Sequence, residues 1–302
     1  MVRFGLCCIF VEEPVKFRTV TAKTLLSLPQ EERLEKIGDI CLGNAVSLLE
    51  SLRIVTRLGI GAFRILSSLF PRYTHPEAGY TLAEIPRGEE IKAVLKQVNR
   101  YRRAHGIRLS FHPDQFVVLN SPDADVVRRS VLELDYHGML AEIVGADVIN
   151  IHAGGAYGDK PESLARFARN LALLFSSARK RITLENDDCL YTPADLLPRC
   201  REFGVPLVYD VHHHRCNPDG LSEEAATEHA VVTWKPRRAE PYFHLSSPKH
   251  GWSGRDPKPH ADYIDPEDIP AVWRDIGPFT MDVEAKAKEK AVLRLMSDWR
   301  NR

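Results

Sequence analysis

Short apolar runs alternate with segments of helical periodicity from one end of the chain to the other. The apolar runs predict strands at residues 3–8, 62–67, 108–112, 147–152, 181–185, 207–210, 242–246 and 280–284. The segments between them repeat their apolar positions with a helical period and predict helices near 31–58, 89–105, 124–144, 162–176, 193–203, 222–232, 266–274 and 287–299.

This order of elements predicts the fold class. Eight strand-then-helix units in 302 residues are typical of the (β/α)8 or TIM barrel. We therefore predict an α/β protein with one TIM-barrel domain over residues 1–302. A doubly wound open sheet is the alternative, but the glycine-rich phosphate motif of such sheets does not follow the first strand.

Within several predicted strands, alternate residues form an apolar and a polar face. In the third strand Leu109 and Phe111 share one face, while Ser110 and His112 share the other. The fourth, fifth, seventh and eighth strands split in the same way, and their polar faces carry Asn150, His152, Thr183, Glu185, Tyr242, His244, Asp282, Glu284 and Lys286. Because the interior and exterior of a barrel alternate residue by residue, we predict that the polar face points inward.

Side chains that bind metals occur at the C-terminal end of one strand after another, which is the end where TIM barrels keep their active sites. They are His112, His152, Glu185, Asp210, the run His212, His213 and His214, His244, and Glu284. A lone polar strand residue is usually structural, but so many buried imidazoles and carboxylates are costly without a compensating partner. We therefore predict a metal site at the C-terminal face of the strands.

The donor types narrow the choice of metal. Imidazole with carboxylate suits Zn²⁺, Mn²⁺ or Fe²⁺ better than Mg²⁺ or Ca²⁺. The number of donors favours at least two ions, and Glu185, in the middle of the series, is the candidate bridge. The histidine run stays open at this point: strand alternation favours His212, whereas a strand that ends at Asp210 frees His213.

Composition and charge exclude several other classes of protein. The chain has 41 basic and 41 acidic residues, no net charge and 44% hydrophobic residues, so it is neither disordered nor a general polycation. The apolar run 4–11 is short and meets Glu12 and Glu13, which argues against a membrane span or a signal peptide. Six cysteines without a CxxC spacing are interpreted as reduced thiols, and we expect a cytoplasmic protein.

Six segments carry a resemblance to a known family. They read SFHPDQF at 110–116, HAGGAYGDK at 152–160, LENDD at 184–188, HLSSP at 244–248, HADY at 260–263 and EAK at 284–286. Together they resemble the UV damage endonucleases, which are relatives of endonuclease IV and, more distantly, of xylose isomerase-type barrels. The resemblance extends from about residue 3 to residue 295, nearly the whole chain.

The resemblance implies a function and a set of metal ligands. The expected enzyme incises damaged duplex DNA immediately 5′ to a UV photoproduct, leaves a 3′-hydroxyl and a 5′-phosphate, and uses two or three divalent ions, typically manganese. The resemblance assigns one ion to His112, His152 and Glu185, and a second to Glu185, Asp210, His244 and Glu284. It assigns the third to His213 and His260, and so chooses His213 from the histidine run.

The resemblance also implies DNA contacts. Gln115 and Phe116 are expected to push into the DNA at the lesion, where a ring can replace lost base stacking. The alternative is that Phe116 packs against the next helix. Tyr157, Lys160 and Lys249 are expected to contact DNA, and Lys286 is expected to assist Glu185 in catalysis by stabilising the departing oxygen. His75 also matches a site position, with a role in the turn before Pro76 as its alternative.

The sequence departs from the family at a few positions. Leu6 and Phe10 stand where better-known members have a tyrosine and an asparagine, which predicts a loss of polar groups on the lesion or metal side. Tyr242 replaces a lysine that is carboxylated in some members, and parity places its side chain beside His244. Residues 12–24 also fit the family poorly.

Three other functions remain as alternatives. An abasic-site endonuclease of the endonuclease IV type would keep the chemistry and change the lesion. A metal-dependent sugar isomerase or epimerase would use the same barrel, but it would give Gln115 and Phe116 no role. A damage-binding protein without turnover would account for Leu6, Phe10 and Tyr242. The expected partner is damaged double-stranded DNA, and the expected oligomeric state is a monomer.

Overall fold

The computed structural model describes residues 2–301, and its strands form a closed parallel barrel in which each strand pairs with its neighbours along the chain and β1 pairs with β8. The strands are β1 Val2–Cys7, β2 Ala62–Ile65, β3 Arg108–Phe111, β4 Val148–His152, β5 Ile182–Glu185, β6 Leu207–Asp210, β7 Tyr242–Leu245 and β8 Phe279–Val283. The predicted TIM barrel is confirmed.

Helices surround the barrel in the predicted order. They are α1 Ala22–Leu26, α2 Gln30–Arg57, α3 Gly88–Ala104, α4 Ala124–Val144, α5 Lys160–Leu171, α6 Ser176–Arg179, α7 Pro193–Phe203, α8 Val211–Cys216, α9 Glu223–Trp234 and α10 Glu289–Arg300. Among the described residues, no helix has both the length and the apolar character that a membrane span requires.

Two helix predictions were wrong. Residues 266–274 form two short 3₁₀ turns, Pro266–Asp268 and Ala271–Arg274, because Ile269 precedes Pro270 and takes an extended conformation with ψ 120°. The predicted helix at 162–176 ends at Leu171, and α6 begins after a break at Phe175. The Asp135 carboxylate accepts the Phe175 backbone N–H there at 2.8 Å, which holds the break in place.

The polar face of the strands lies inside the barrel, as the alternation predicts. The Tyr242 hydroxyl donates to Asp282 Oδ1 at 2.8 Å and lies 3.0 Å from Ser110 Oγ, so β3, β7 and β8 meet across the interior. The Thr183 hydroxyl donates to Asn150 Oδ1 at 2.9 Å between β4 and β5. The apolar alternates of the same strands are fully buried between the barrel and the helices.

The strand register brings the polar groups together at the C-terminal face. His152 is paired with Glu185 across β4 and β5, and Asp210 is paired with His244 across β6 and β7. Residues far apart in sequence therefore become direct neighbours at one end of the barrel.

Helix packing depends on a glycine at one close approach. A Cβ added to Gly138 in α4 would lie 2.5 Å from the backbone nitrogen of Ala178 in α6. Gly43 in α2 offers a matched comparison, because its added Cβ would meet only Arg18 side-chain atoms at 3.7 and 4.0 Å.

We expect Gly138→Ala to destabilise the protein by about 1–3 kcal/mol, because the new methyl group would force α4 away from α6. Gly43→Ala is expected to be neutral or to stabilise by up to about 1 kcal/mol, since alanine favours the helix. Urea unfolding of the two variants beside the wild type measures both effects. Equal stability of the two variants would show that the contact between α4 and α6 does not require glycine.

Candidate metal centre

Glu185 lies at the centre of the cluster. Its side chain at the end of β5 is 1% exposed and meets imidazoles from three other elements. His112 Nε2 donates to Glu185 Oε2 at 3.0 Å, while His213 Nδ1 and His244 Nδ1 lie 3.3 and 3.0 Å from Oε1. The amide of Asn150 also donates to Oε2. One buried carboxylate thus connects β3, β4, β7 and α8.

Unpartnered polar atoms show that the cluster fits a cation. His152 Nδ1 and Asp210 Oδ2 are buried and have no hydrogen-bond partner among the described residues, and the 3.0 Å contact of buried His244 Nδ1 with Glu185 Oε1 lacks hydrogen-bond geometry. Buried polar groups normally have one, because an unpartnered donor or acceptor costs free energy. A divalent ion would satisfy lone pairs on these atoms, so the donor set fits the predicted metal.

Two ligand sets have the necessary proximity. In the first, one ligand atom each from His112, His152 and Glu185 lies within 4.8 Å of the others. In the second, the same holds for Glu185, Asp210 and His213. Glu185 belongs to both sets, which is the position of the predicted bridge. The second set contains His213, which the resemblance assigns to the third ion, and it contains neither His244 nor Glu284.

A short helix decides between the three neighbouring histidines. Asp210 caps α8 by accepting the His213 backbone N–H at 2.8 Å, and this turn directs the His213 ring at Glu185. His212 instead donates to the Lys258 carbonyl at 3.2 Å. The His214 ring is directed away from Glu185, since it forms hydrogen bonds with Tyr209 and Asp219. Strand alternation, which favoured His212, was therefore wrong here, because the strand has already ended and the chain is helical.

Glu284 and His260 complete the cluster at its outer edge. Glu284 follows β8, and its Oε1 lies 3.4 Å from His244 Nδ1. Its Oε2 lies 3.7 Å from His260 Nδ1. The rings of His260 and His213 are 6.4 Å apart. Every residue that the resemblance assigns to a metal ion therefore lies in one connected group.

Arg64 is a residue of the cluster that the sequence pattern did not predict. Its guanidinium is nearly buried in the barrel and donates to Asp282 Oδ2 at 2.9 Å and to His244 Nε2 at 2.9 Å. It also lies 2.6 Å from Glu284 Oε1. The available signal was a charged residue in the middle of the apolar strand β2, where an inward-facing arginine requires a carboxylate partner.

Opposite charges shift the titration of the cluster. Burial opposes the charged form of Glu185, but the charge of His244 and the contacts of His112 and His213 lower its pKa well below the ordinary value. Burial also opposes the charged form of His213, yet Asp210 and Glu185 raise its pKa well above the ordinary value. The pKa of His152 is lowered because burial outweighs the attraction of Glu185. A neutral His152 keeps a lone pair free for a metal.

The three departures from the family pattern have different consequences. Tyr242 faces the interior, as predicted, and bonds Asp282 and Ser110. The Leu6 side chain packs in the apolar core between the barrel and the helices, and the Phe10 ring stacks on the Phe63 ring at 5.9 Å. Leu6 faces the core and not the cluster, because β1 points Gly5 inward and therefore Leu6 outward. That these two positions remove polar groups found in other members stays a prediction.

A groove of about 1030 Å³ adjoins the cluster at the same face and is lined by His75, His112, Gln115, Phe116 and Tyr157, among others. Phe116 is 76% exposed, so the alternative that it packs against the next helix was wrong. The Asp114 carboxylate accepts the Phe116 backbone N–H at 3.0 Å and shapes this loop. Tyr157 is also exposed.

His75 has a structural role in addition to its place in the groove. Its Nδ1 accepts the backbone N–H groups of Glu77 and Ala78 at 3.2 and 3.1 Å. This is the turn that the sequence analysis named as the alternative. It places His75 at the groove wall and not in the histidine–carboxylate cluster.

The three lysines of interest occupy different environments. Lys160 begins α5, and its ammonium lies 2.8 Å from Asp195 Oδ2. Lys249 and Lys286 are exposed at the C-terminal face. The Lys286 backbone N–H donates to the Ala261 carbonyl at 3.0 Å, which keeps this residue beside the loop that carries His260.

The fold and the site together define a (β/α)8 barrel whose histidine–carboxylate cluster and open groove occupy the C-terminal face. Residues 2–301 match the family described as UV-endonuclease UvdE. The chain belongs to this family, and the predictions of the family and of an endonuclease are confirmed.

Individual relatives agree with this assignment. The chain is 34% identical over 308 residues to the UV DNA damage endonuclease of Bacillus velezensis, with 98% of this chain and 93% of the relative covered. The crystal structure of SacUVDE superposes with a TM-score of 0.87 at 29% identity, covering 100% of this chain and 99% of that one. Endonuclease IV from Thermus thermophilus shares the fold, with a TM-score of 0.64 at 15% identity and 99% of each chain covered.

We expect Arg64→Met to destabilise the metal-free protein by about 3–5 kcal/mol, because it leaves the carboxylates of Asp282 and Glu284 without their buried cation. Arg57→Met is the control, since Arg57 pairs with Glu13 at the surface and is expected to cost under about 1 kcal/mol. Urea unfolding in the presence of EDTA gives both values. A loss for Arg64→Met as small as that of the control would contradict the central role of this ion pair.

Proposed function

We propose that this protein is a metal-dependent DNA-repair endonuclease that incises duplex DNA immediately 5′ to UV photoproducts and leaves a 3′-hydroxyl and a 5′-phosphate. Family membership supports a DNA-repair endonuclease for UV damage. The single observation that carries the finer proposal is the groove that the exposed Phe116 shares with His112, because His112 contacts Glu185 at 3.0 Å and so joins the groove to the cluster.

The ligand set is proposed to hold two or three divalent ions, with manganese as the metal and zinc or iron as the alternatives. His112, His152 and Glu185 would hold one ion, and Glu185, Asp210, His244 and Glu284 a second. His213 and His260 would hold the third. Bound ions of this kind polarise a phosphodiester and lower the pKa of an attacking water.

The protein side chains position the DNA for this chemistry. Phe116 enters the helix at the lesion and replaces the stacking of a displaced base, while the Gln115 amide bonds an exposed base edge. Tyr157, Lys160 and Lys249 contact the backbone, with the charge of Lys160 shared with Asp195.

Glu185 and Lys286 are the proposed catalytic residues. Glu185 holds both ligand sets in one geometry, and Lys286 stabilises the negative charge on the departing 3′ oxygen. Lys286 is available for this role because its side chain is exposed two residues after Glu284. We further propose that residues 1–302 work as one domain, as a cytoplasmic monomer.

The proposal is tested with end-labelled duplexes that contain one defined photoproduct, one abasic site, or no damage, each with and without Mn²⁺. We expect Mn²⁺-dependent incision immediately 5′ to the photoproduct. Incision at the abasic site alone would instead support an activity of the endonuclease IV type. No incision in a metal-loaded sample would contradict the proposal, and conversion of free ketoses would then support an isomerase or epimerase.

We expect Glu185→Gln to remove incision while the protein stays folded, because both ligand sets lose the shared carboxylate. Metal content by mass spectrometry is expected to fall in parallel. Asp147→Asn is the matched control, since Asp147 pairs with Arg108 at the opposite end of the barrel. A Glu185→Gln variant with normal metal content and normal incision would exclude the bridge.

We expect Phe116→Ala to weaken binding to photoproduct DNA by about 5-fold to 150-fold, as the loss of one stacked base implies. Binding to undamaged duplex is expected to stay the same, because an intact stack does not admit the ring. Phe175→Ala is the control, as Phe175 is 70% exposed before β5, away from the site. Equal weakening on both duplexes, measured by fluorescence anisotropy, would contradict a lesion-specific role.

A further inference from the structure

We propose that residues 249–258, here named the Trp252 loop, form a second DNA-binding element that contacts the duplex backbone whether or not the DNA is damaged. The inference rests on the proposed function only for the identity of the ligand, which is duplex DNA. It assigns a role to Trp252 and Arg255, which are not part of the cluster and do not line the Phe116 groove.

The Trp252 loop is fixed at its base and lies at the C-terminal face of the barrel, where the cluster is. It follows β7 and returns through an antiparallel bridge between Pro248 and His260. The Lys249 backbone N–H donates to the Pro259 carbonyl at 2.7 Å. This bridge also delivers His260 to the cluster, so the loop begins and ends beside the proposed metal centre.

The barrel places this loop opposite the loop that carries Phe116. The Phe116 loop follows β3 and the Trp252 loop follows β7, and these strands are four apart in the closed barrel. The cluster lies between them, because His112 at the end of β3 stacks with His244 of β7 at 5.9 Å. A duplex that reaches the cluster would therefore lie between the Phe116 loop and the Trp252 loop.

Trp252 is held rigidly but remains accessible. Its Nε1–H donates to Asp268 Oδ1 at 2.7 Å. The Arg215 guanidinium lies 5.4 Å from the ring centroid, and the His212 ring lies 5.2 Å away. Even so, 39% of the residue is exposed, whereas Trp234 and Trp273 are almost fully buried. Such a ring offers contact area without a large loss of conformational entropy on binding.

The loop carries three cationic side chains, Lys249, Arg255 and Lys258, against the one carboxylate of Asp256, so its net positive charge suits a phosphate backbone. Lys249, His250 and Arg255 are exposed, and no described residue forms a side-chain ion pair with them. Lys258 is engaged with Asp188 at 3.4 Å. Free basic groups next to an exposed aromatic ring are typical of surfaces that bind nucleic acid.

The rigidity of Trp252 distinguishes its role from that of Phe116. Because three side chains hold the indole, the ring stays beside the helix and packs on deoxyribose, where it meets the same surface in every sequence. Phe116 has no such support and is the residue that enters the stack. Trp252 should therefore act on the affinity for all duplex DNA, and Phe116 on the preference for damage.

The first test compares Trp252→Ala with the Phe175→Ala control. Binding is measured to undamaged duplex and, in a Glu185→Gln background, to photoproduct duplex. We expect Trp252→Ala to weaken both affinities equally, by about threefold to tenfold. The kcat for incision by the otherwise wild-type variant is expected to remain unchanged while KM rises. Trp252→Phe keeps a ring and is expected to recover most of the affinity.

Two further measurements do not require turnover. Undamaged duplex is expected to quench the intrinsic fluorescence of the wild type, and Trp252→Phe is expected to lose most of this quench. Arg255→Glu is expected to reduce the slope of the logarithm of the binding constant against the logarithm of the salt concentration by about one, which corresponds to one phosphate contact. Arg179→Glu is the control, because Arg179 is exposed before β5 at the opposite end of the barrel.

The outcomes separate this inference from the proposed function. Normal incision with unchanged KM and no quench at Trp252 would overturn the inference and leave the proposed function intact. Weaker binding by Trp252→Ala to damaged duplex alone would also overturn it, because the loop would then read the lesion. Quenching and equal weakening without incision would support the loop and overturn the proposed function.

Discussion

A buried carboxylate is stable only when a cation or hydrogen bonds compensate its charge, and this barrel collects Glu185, Asp210 and Asp282 in its interior with Glu284 at the edge. Arg64 neutralises part of this charge through its contacts with Asp282 and Glu284. Imidazoles surround the remainder. The unpartnered atoms of the cluster show where this compensation is incomplete, and these are the positions at which a divalent cation would lower the free energy most.

The closed barrel brings these groups together. Their positions in the chain range from Arg64 to Glu284, and no local segment contains more than one or two of them. Parallel strands that close on themselves bring all their C-terminal ends to one face. The inward alternates then converge on the barrel axis, and Glu185 can contact His112 and His244 from opposite strands.

In the proposed function, recognition of DNA is divided between two loops around the cluster. Phe116 is exposed and weakly held, which suits a side chain that enters a disrupted stack. Trp252 is exposed and firmly held, which suits a contact with the regular backbone. Because the two loops follow strands on opposite sides of the barrel, affinity for duplex DNA and preference for a lesion can reside in different residues.

The barrel, the inward polar face and most of the histidine–carboxylate cluster can be predicted from the amino-acid sequence, because strand alternation shows in each strand and the order of elements predicts that the strand ends share one face. The histidine of the run that reaches Glu185 cannot, since it depends on α8, a helix whose cap is Asp210. Arg64 was missed because a single strand does not show what lies across the barrel. The outward position of Leu6 likewise followed from the orientation of β1 within the closed sheet. These features depend on contacts between distant elements, and such contacts exist only in the folded chain.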